Sequence, residues 1–140
     1  MTKLFLQSCL LSLAVFSTSS MMAQTNSTAL NHHLSVAGQM TAEKFALLLK
    51  QQGFKSIIVN RPDQELGNVV TVNELRTIAE KSQVSVIYQP ITSGKTYPTD
   101  IIEFAKYYNE LPKPILMICR SGSRSSALFN QEKAQGLLHE

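Results

Sequence analysis

Cys119 begins a short run of residues whose types could support nucleophilic chemistry on an anion. The run reads Cys119-Arg120-Ser121-Gly122-Ser123-Arg124, and Ser125 follows it. A cysteine reacts as its thiolate, and helix N-termini and arginines lower the pKa of a thiol from its ordinary value of about 8.5. Gly122 gives the backbone the freedom of a tight loop, in which successive N–H groups can turn inward around an oxyanion.

The residues of this loop have distinct expected roles. We expect Cys119 to be the nucleophile, and Arg124 to grip two oxygens of the ligand at once. The backbone from Arg120 to Arg124 would form an anion cradle, and the hydroxyls of Ser123 and Ser125 can donate to the sulfur or to the ligand. A cysteine after an apolar strand is commonly only a small core residue. Two arginines, a glycine and three serines within seven residues favour an anion site instead.

The Cys119 loop is predicted to connect a buried strand to a helix. Ile115 to Ile118 is apolar throughout, as expected for a central parallel strand that is covered on both faces. The last helix is predicted from Ser125 to about Gln135. Ligands of open parallel sheets bind beyond the carboxyl ends of the strands, which is where Cys119 stands.

The rest of the chain alternates helix-period and strand-like segments with short connections. Helices are predicted over 41–52, from 71 to about 81 and from 98 to about 109, and strands over 55–60 and 84–89. Gly53 is placed to end the first helix, Thr71 and Glu74 form a capping box, and Pro98 suits a first helical position. These segments predict one α/β domain, with a mainly parallel sheet of about four to five strands flanked by helices.

The first residues resemble a targeting segment. Lys3 precedes an apolar run from Leu4 to Phe16, which is shorter than the about 20 residues of a membrane span. We expect a signal peptide over 1–23, a polar leader over 24–33 and the domain over 34–140. An uncleaved anchor is the alternative, because Met21 is a poor residue three places before the cleaved bond. A periplasmic or secreted protein without stable membrane insertion is therefore expected.

Charge and cysteine content limit the classes of partner. The chain has 13 basic and 10 acidic residues, so removal of Lys3 with the signal leaves 12 against 10, a net charge of +2. The basic residues are scattered, without the dense stripe of a polyanion groove, and we expect a small anionic substrate and no nucleic acid. No metal-ligand spacing is present, and neither a metal nor a cofactor is expected. Cys9 would leave with the signal, so Cys119 would be the lone thiol of the exported chain.

Three segments together resemble one known family. They are Ser35-Val36-Ala37-Gly38-Gln39, Asn60-Arg61-Pro62-Asp63-Gln64-Glu65 and the Cys119 loop. In this order they are similar to the beta-lactamase-hydrolase-like phosphatase family, over about Leu34 to Leu138. The resemblance implies a dual-specificity-phosphatase-like fold with the cysteine loop at its mouth and a covalent phosphocysteine intermediate. It also implies that Arg124 is the anion clamp and that Ser125 steadies the thiolate.

The loop departs from the common phosphatase pattern in its length. Four residues separate Cys119 from Arg124, where phosphatase loops place five, and Ile118 stands where a histidine is usual. A six-residue loop of this kind resembles that of the rhodanese sulfurtransferases. Sulfur transfer through a Cys119 persulfide is therefore one alternative. A non-enzymatic anion-binding or redox-sensing domain is another alternative. It is supported by the lone exported thiol and by the lack of a carboxylate that could act as general acid in the loop from Pro90 to Tyr97.

The proton donor for the leaving oxygen is the least determined part of the predicted site. Phosphate release from an ester needs such a donor, and the loop from Pro90 to Tyr97 contains no carboxylate. The family motif makes Asp63 a candidate for this role and Arg61 a candidate substrate-binding residue. The alternative is structural, because Asp63 follows a proline in a turn that an Arg61–Glu65 pair can fix. Asp100 is predicted to be a helix-start residue.

Overall fold

The computed structural model of the chain describes residues 27–139. The signal peptide predicted over 1–23 lies outside these described residues. Within the described range, no helix is both long and apolar enough to cross a membrane.

A five-stranded sheet forms the centre of the fold. Its strands are β1 (Ser27–Ala29), β2 (Leu34–Ala37), β3 (Ser56–Val59), β4 (Ser85–Tyr88) and β5 (Ile115–Ile118). Their order across the sheet is β1-β2-β5-β3-β4, and every neighbouring pair is parallel except the edge pair β1–β2. The prediction of a mainly parallel α/β sheet is confirmed. The central position of β5 explains why all four of its residues are buried.

Four helices cover the two faces of this sheet. They are α1 (Ala42–Gln52), α2 (Val72–Glu80), α3 (Pro98–Glu110) and α4 (Ser123–Ala134). Leu116 and Ile118 of β5 pack with α1 and α2 on one face, whereas Ile115 and Met117 pack with α3 and α4 on the other. This alternation follows from the two-residue period of a strand. The two core layers hold the end of β5 in place from both sides.

The predicted helix boundaries are largely confirmed. Gly53 ends α1 in the left-handed conformation at φ 63°, and Thr71 and Glu74 form the predicted capping box at the start of α2. Asp100 is the helix-start residue of α3, where its Oδ2 accepts the backbone N–H of Tyr97 at 2.7 Å. The last helix begins at Ser123, two residues before the predicted Ser125. The loop therefore enters the helix directly at Gly122.

The stretch predicted as a polar leader over 24–33 contains a strand. Its residues 27–29 form β1, which pairs antiparallel with β2 at the edge of the sheet. The residues of β1 are only partly buried or exposed, so the segment has no apolar face that a periodic pattern would reveal. Backbone pairing with β2, rather than side-chain burial, accounts for this strand.

Candidate active site

Cys119 lies at the carboxyl end of the central strand and is completely buried, with 0% of its surface exposed. Its backbone N–H donates to the carbonyl of Ala37 at 3.2 Å, and its Sγ accepts the backbone N–H of Gly122 at 3.0 Å. Gly122 has φ 91°, a left-handed conformation that favours glycine. Gly122 therefore turns its N–H back toward the sulfur of Cys119, as expected for an anion-stabilising loop.

Opposing effects set the pKa of the Cys119 thiol. Burial raises this pKa, but hydrogen bonds from the Ser125 N–H and hydroxyl and from the N–H groups of Ser121 and Gly122 lower it. The net effect is a pKa below the ordinary value of a thiol. The loop therefore favours the reactive thiolate.

The Ser125 hydroxyl has a second acceptor besides the sulfur. Its Oγ donates to Oδ1 of Asn60 at 2.8 Å, and both side chains are fully buried. Asn60 is fixed in turn, because its Nδ2 donates to the carbonyl of Gln89 at 3.2 Å. A hydroxyl has one proton to donate. The hydroxyl can therefore donate either to Asn60 or to the sulfur at one time, whereas the N–H groups of Ser121, Gly122 and Ser125 donate to Cys119 in both cases.

Arg124 is held along one edge of its guanidinium group. Nη1 donates to the carbonyl of Ile91 at 2.8 Å, and Nη2 lies 3.0 Å from both carboxylate oxygens of Glu65. The side chain is 9% exposed, and within the described part of the chain its buried Nε has no hydrogen-bond partner. The contacts fix the direction of the guanidinium group, and its Nε donor stays unpaired in a buried position.

Glu65 connects Arg61 and Arg124. The hydrogen bond from Arg124 lowers the pKa of Glu65, burial opposes this change, and the charges of Arg124, Arg61 and Arg120 support it. Oε1 of Glu65 lies 3.6 Å from Nε of Arg61, which is the pair predicted from the sequence. Glu65 therefore stays ionised and orients the arginines, which makes it a poor proton donor.

Arg61 is buried inside its own loop, with 3% of its surface exposed. Its Nη2 donates to the carbonyl of Leu66 at 3.0 Å, and its Nη1 donates to the side chain of Gln39. These contacts join the Arg61 loop to the segment after β2. The structure thus shows Arg61 in a supporting position, and direct binding of substrate by Arg61 stays a prediction.

Asp63 lies in the loop between β3 and α2, and its side chain contacts the start of α2. Its Oδ1 accepts the backbone N–H of Val72 at 2.9 Å, and its own N–H donates to the Tyr88 hydroxyl at 2.8 Å. It lines a cavity of about 20 Å³ together with Arg61 and Gln39, which is space for about one water molecule. These contacts fit the structural alternative for Asp63, and its role as a general acid stays a prediction.

The other predicted binding residues surround the loop opening. Arg120, Ser121 and Ser123 are exposed, and the hydroxyls of the two serines lie 2.8 Å apart. A groove of about 520 Å³ opens beside Arg124, between the β4–α3 loop and α4. We call it the Arg124 groove; its other lining residues are Ser93, Gly94, Thr96, Ser123, Ala127 and Gln131.

Gly38 is a site-positioning residue for which the sequence suggested no specific role. A Cβ atom added to it would lie 3.0 Å from the carbonyl oxygen of Arg120 and 3.3 Å from Cα of Ser121. The next residue, Gln39, donates its N–H to the same carbonyl at 3.1 Å. The segment after β2 therefore packs directly on the backbone of the cysteine loop.

Replacement of Gly38 by alanine is expected to displace the loop, because the added methyl group meets backbone and not a flexible side chain. We expect a loss of about 1–3 kcal/mol in the free energy of unfolding, together with lower activity. Urea unfolding and kinetic assays would measure both. Gly136→Ala is the control, since its φ of 68° makes it strained but it meets no atom within 4 Å. Unchanged activity in Gly38→Ala would contradict the positioning role.

Sequence comparison connects this geometry with one family. Residues 27–136 match the family described as beta-lactamase hydrolase-like protein, phosphatase-like domain. A curated relative, the beta-lactamase hydrolase-like protein of Agrobacterium fabrum, is 29% identical over 100 residues. The match covers 71% of this chain but 23% of the relative, so the chain spans less than a quarter of that protein.

Solved structures show the same fold. A provisionally assigned phosphatase from Neisseria meningitidis superposes with a TM-score of 0.67 at 30% identity, over 77% of this chain and 76% of that one. The core catalytic domain of the PP-IP phosphatase Siw14 from S. cerevisiae has a TM-score of 0.63 at 17% identity, over 79% of this chain and 67% of that one. The second likeness shows the fold alone. Together they confirm the dual-specificity-phosphatase-like architecture.

Proposed function

Because the chain belongs to the family of the phosphatase-like domain of beta-lactamase hydrolase-like proteins, we propose that it is a phosphatase with Cys119 as its nucleophile. One observation carries the cysteine mechanism: the buried Sγ of Cys119 accepts the Gly122 N–H at 3.0 Å, at the carboxyl end of β5. The lowered pKa of Cys119 supports it. The proposed substrate is a small phosphorylated molecule.

The proposed reaction has two displacement steps. In the first, the Cys119 thiolate attacks phosphorus, an S–P bond forms, and the P–O bond to the leaving group breaks with its electron pair on the leaving oxygen. The loop N–H groups and Arg124 hold the remaining phosphoryl oxygens, where the transition-state charge lies. In the second, water attacks the phosphocysteine and releases inorganic phosphate, and the thiolate is regenerated.

An aryl phosphate assay with wild-type protein and Cys119→Ser tests this proposal. We expect the wild type to release phosphate and the variant to release none above background. Acid quenching during turnover, followed by peptide mass spectrometry, should locate a phosphoryl group on Cys119. Phosphate release that persists in Cys119→Ser would show that another group is the nucleophile, and the proposal would fail.

Sulfur transfer is the second candidate, favoured by the four residues between Cys119 and Arg124. A loop one residue shorter than a phosphatase loop encloses a smaller space, which suits a sulfur atom carried on the cysteine. With thiosulfate, the Cys119 thiolate would take the outer sulfur as a persulfide, the S–S bond of thiosulfate would break, and sulfite would leave. Intact mass after incubation with thiosulfate should then increase by one sulfur atom in the wild type and not in Cys119→Ser.

A further inference from the structure

The Arg124 groove offers hydrogen-bond donors but no acid. Among the described residues that line it, Arg124 is the only charged one. Ser93, Thr96 and Ser123 contribute hydroxyls, and Gln131 contributes a side-chain amide. Hydroxyl and amide groups can donate hydrogen bonds to an oxygen anion, but neither gives up a proton at neutral pH. A leaving group in this groove would be stabilised as an anion and would not be protonated.

Four carboxylates of the described chain are engaged in other contacts or buried. Asp63 accepts from the N–H of Val72, and Asp100 accepts from the N–H of Tyr97 on the loop that borders the groove. Glu65 is ionised against Arg124, and Glu132 is fully buried. Residues 1–26, which precede the described part, contain no aspartate or glutamate. Within residues 27–139, the groove therefore has no carboxylate among its lining residues.

We infer that this site works without a general acid and selects phosphate esters or anhydrides of acidic leaving groups, such as phenols and carboxylic acids. The inference rests on the phosphatase function proposed above. In the attack step the P–O bond breaks, its electron pair stays on the leaving oxygen, and the anion leaves through the Arg124 groove, where the hydroxyl groups of Ser93, Thr96 and Ser123 are its donors. A leaving-group anion that is later protonated takes its proton from water. Alkyl and sugar phosphates, whose alkoxides are strongly basic, are poor substrates.

The inference predicts how the rate depends on the leaving group. A general acid contributes about 10²- to 10⁴-fold by neutralising the departing oxygen, and it makes the rate nearly independent of leaving-group basicity. Without it, kcat/KM should fall steeply as the leaving group becomes more basic. For cysteine catalysis kcat/KM reports the steps up to formation of the phosphocysteine, which is the step that expels the leaving group.

The test is a series of aryl phosphates from a strongly acidic nitrophenol to unsubstituted phenol, assayed with wild type, Asp63→Asn, Thr96→Asp and Thr96→Asn. We expect wild-type kcat/KM to fall by about 10²-fold or more across the series, a loss comparable with the contribution of a missing acid. Asp63→Asn should keep the same slope. At a pH low enough to protonate the new carboxyl group, Thr96→Asp should flatten the slope by placing an acid in the groove, and Thr96→Asn, which matches aspartate in size, should not.

Each result decides the inference. A shallow wild-type slope that becomes steep in Asp63→Asn would overturn it and identify Asp63 as the acid. A shallow slope in both proteins would overturn it in favour of another donor. A steep slope that Thr96→Asp leaves unchanged would show that the leaving group does not occupy the Arg124 groove. Absence of any Cys119-dependent turnover would defeat the proposed function itself, and the inference with it.

Discussion

Replacement of Arg124 by lysine is expected to lower kcat/KM for an aryl phosphate by about 10²- to 10³-fold, the usual loss for a fixed oxyanion donor. Contacts with Ile91 and Glu65 fix the direction of the guanidinium group, which is the anion clamp of the proposed mechanism. A lysine ammonium is a point charge on a flexible stem and cannot make these contacts and bind the ligand together. Steady-state kinetics would measure the loss.

Arg120→Lys is the matched control, because Arg120 belongs to the same loop but is exposed. We expect this change to alter kcat/KM only a few-fold, since a lysine there keeps the positive charge of the loop opening. Thermal unfolding of both variants separates an effect on activity from a loss of fold. Wild-type kinetics in Arg124→Lys would show that Arg124 is a structural residue and not the anion clamp.

Replacement of Glu132 by glutamine is expected to stabilise the protein, increasingly so as pH rises. Glu132 is 0% exposed, and both of its carboxyl oxygens have no hydrogen-bond partner within the described chain. Burial raises the pKa of Glu132 from 4.5 to about 8. Between these two values the native state keeps a proton that the unfolded state has lost, so the free energy of unfolding falls as pH rises. Over this span the loss amounts to at most about 5 kcal/mol.

Urea unfolding at pH 4, 6 and 8 would reveal this effect. Wild type and Glu132→Gln should differ little at the lowest pH, because the glutamate is then protonated in both states, and should diverge as the pH approaches 8. Glu110→Gln is the control, since Glu110 is an exposed acid on α3 and should change stability by less than about 0.5 kcal/mol. Parallel pH profiles for wild type and Glu132→Gln would contradict the prediction.

The features that the sequence predicted are those set by neighbouring residues. The capping box of Thr71 and Glu74 needs only a spacing of three, and Gly53 and Gly122 mark left-handed positions that few other residues tolerate. The apolar run of β5 likewise predicts a central strand. For the same reason the order of Cys119, loop and helix could be predicted without knowing the rest of the fold.

The contacts that the sequence could not predict depend on the order of strands. Asn60 and Glu65 reach Ser125 and Arg124 only because β3 lies beside β5, and no local pattern specifies that pairing. The burial of Glu132 was equally inaccessible, since a glutamate on an amphipathic helix is normally exposed. Asp63 shows the opposite problem, because a motif suggested chemistry for a residue whose visible contacts are those of a helix start.

The Ser125 hydroxyl has one proton and two possible acceptors, the sulfur of Cys119 and Oδ1 of Asn60. To donate to a thiolate, the hydroxyl must turn away from Asn60, whose buried Oδ1 would then lose the only hydrogen bond it accepts within residues 27–139. In a phosphocysteine the sulfur has lost its charge, and the hydroxyl would return to the amide. Attack and release would thus be accompanied by opposite rotations of one serine. In the proposed mechanism, the Asn60 amide would therefore compete with the sulfur for the Ser125 proton.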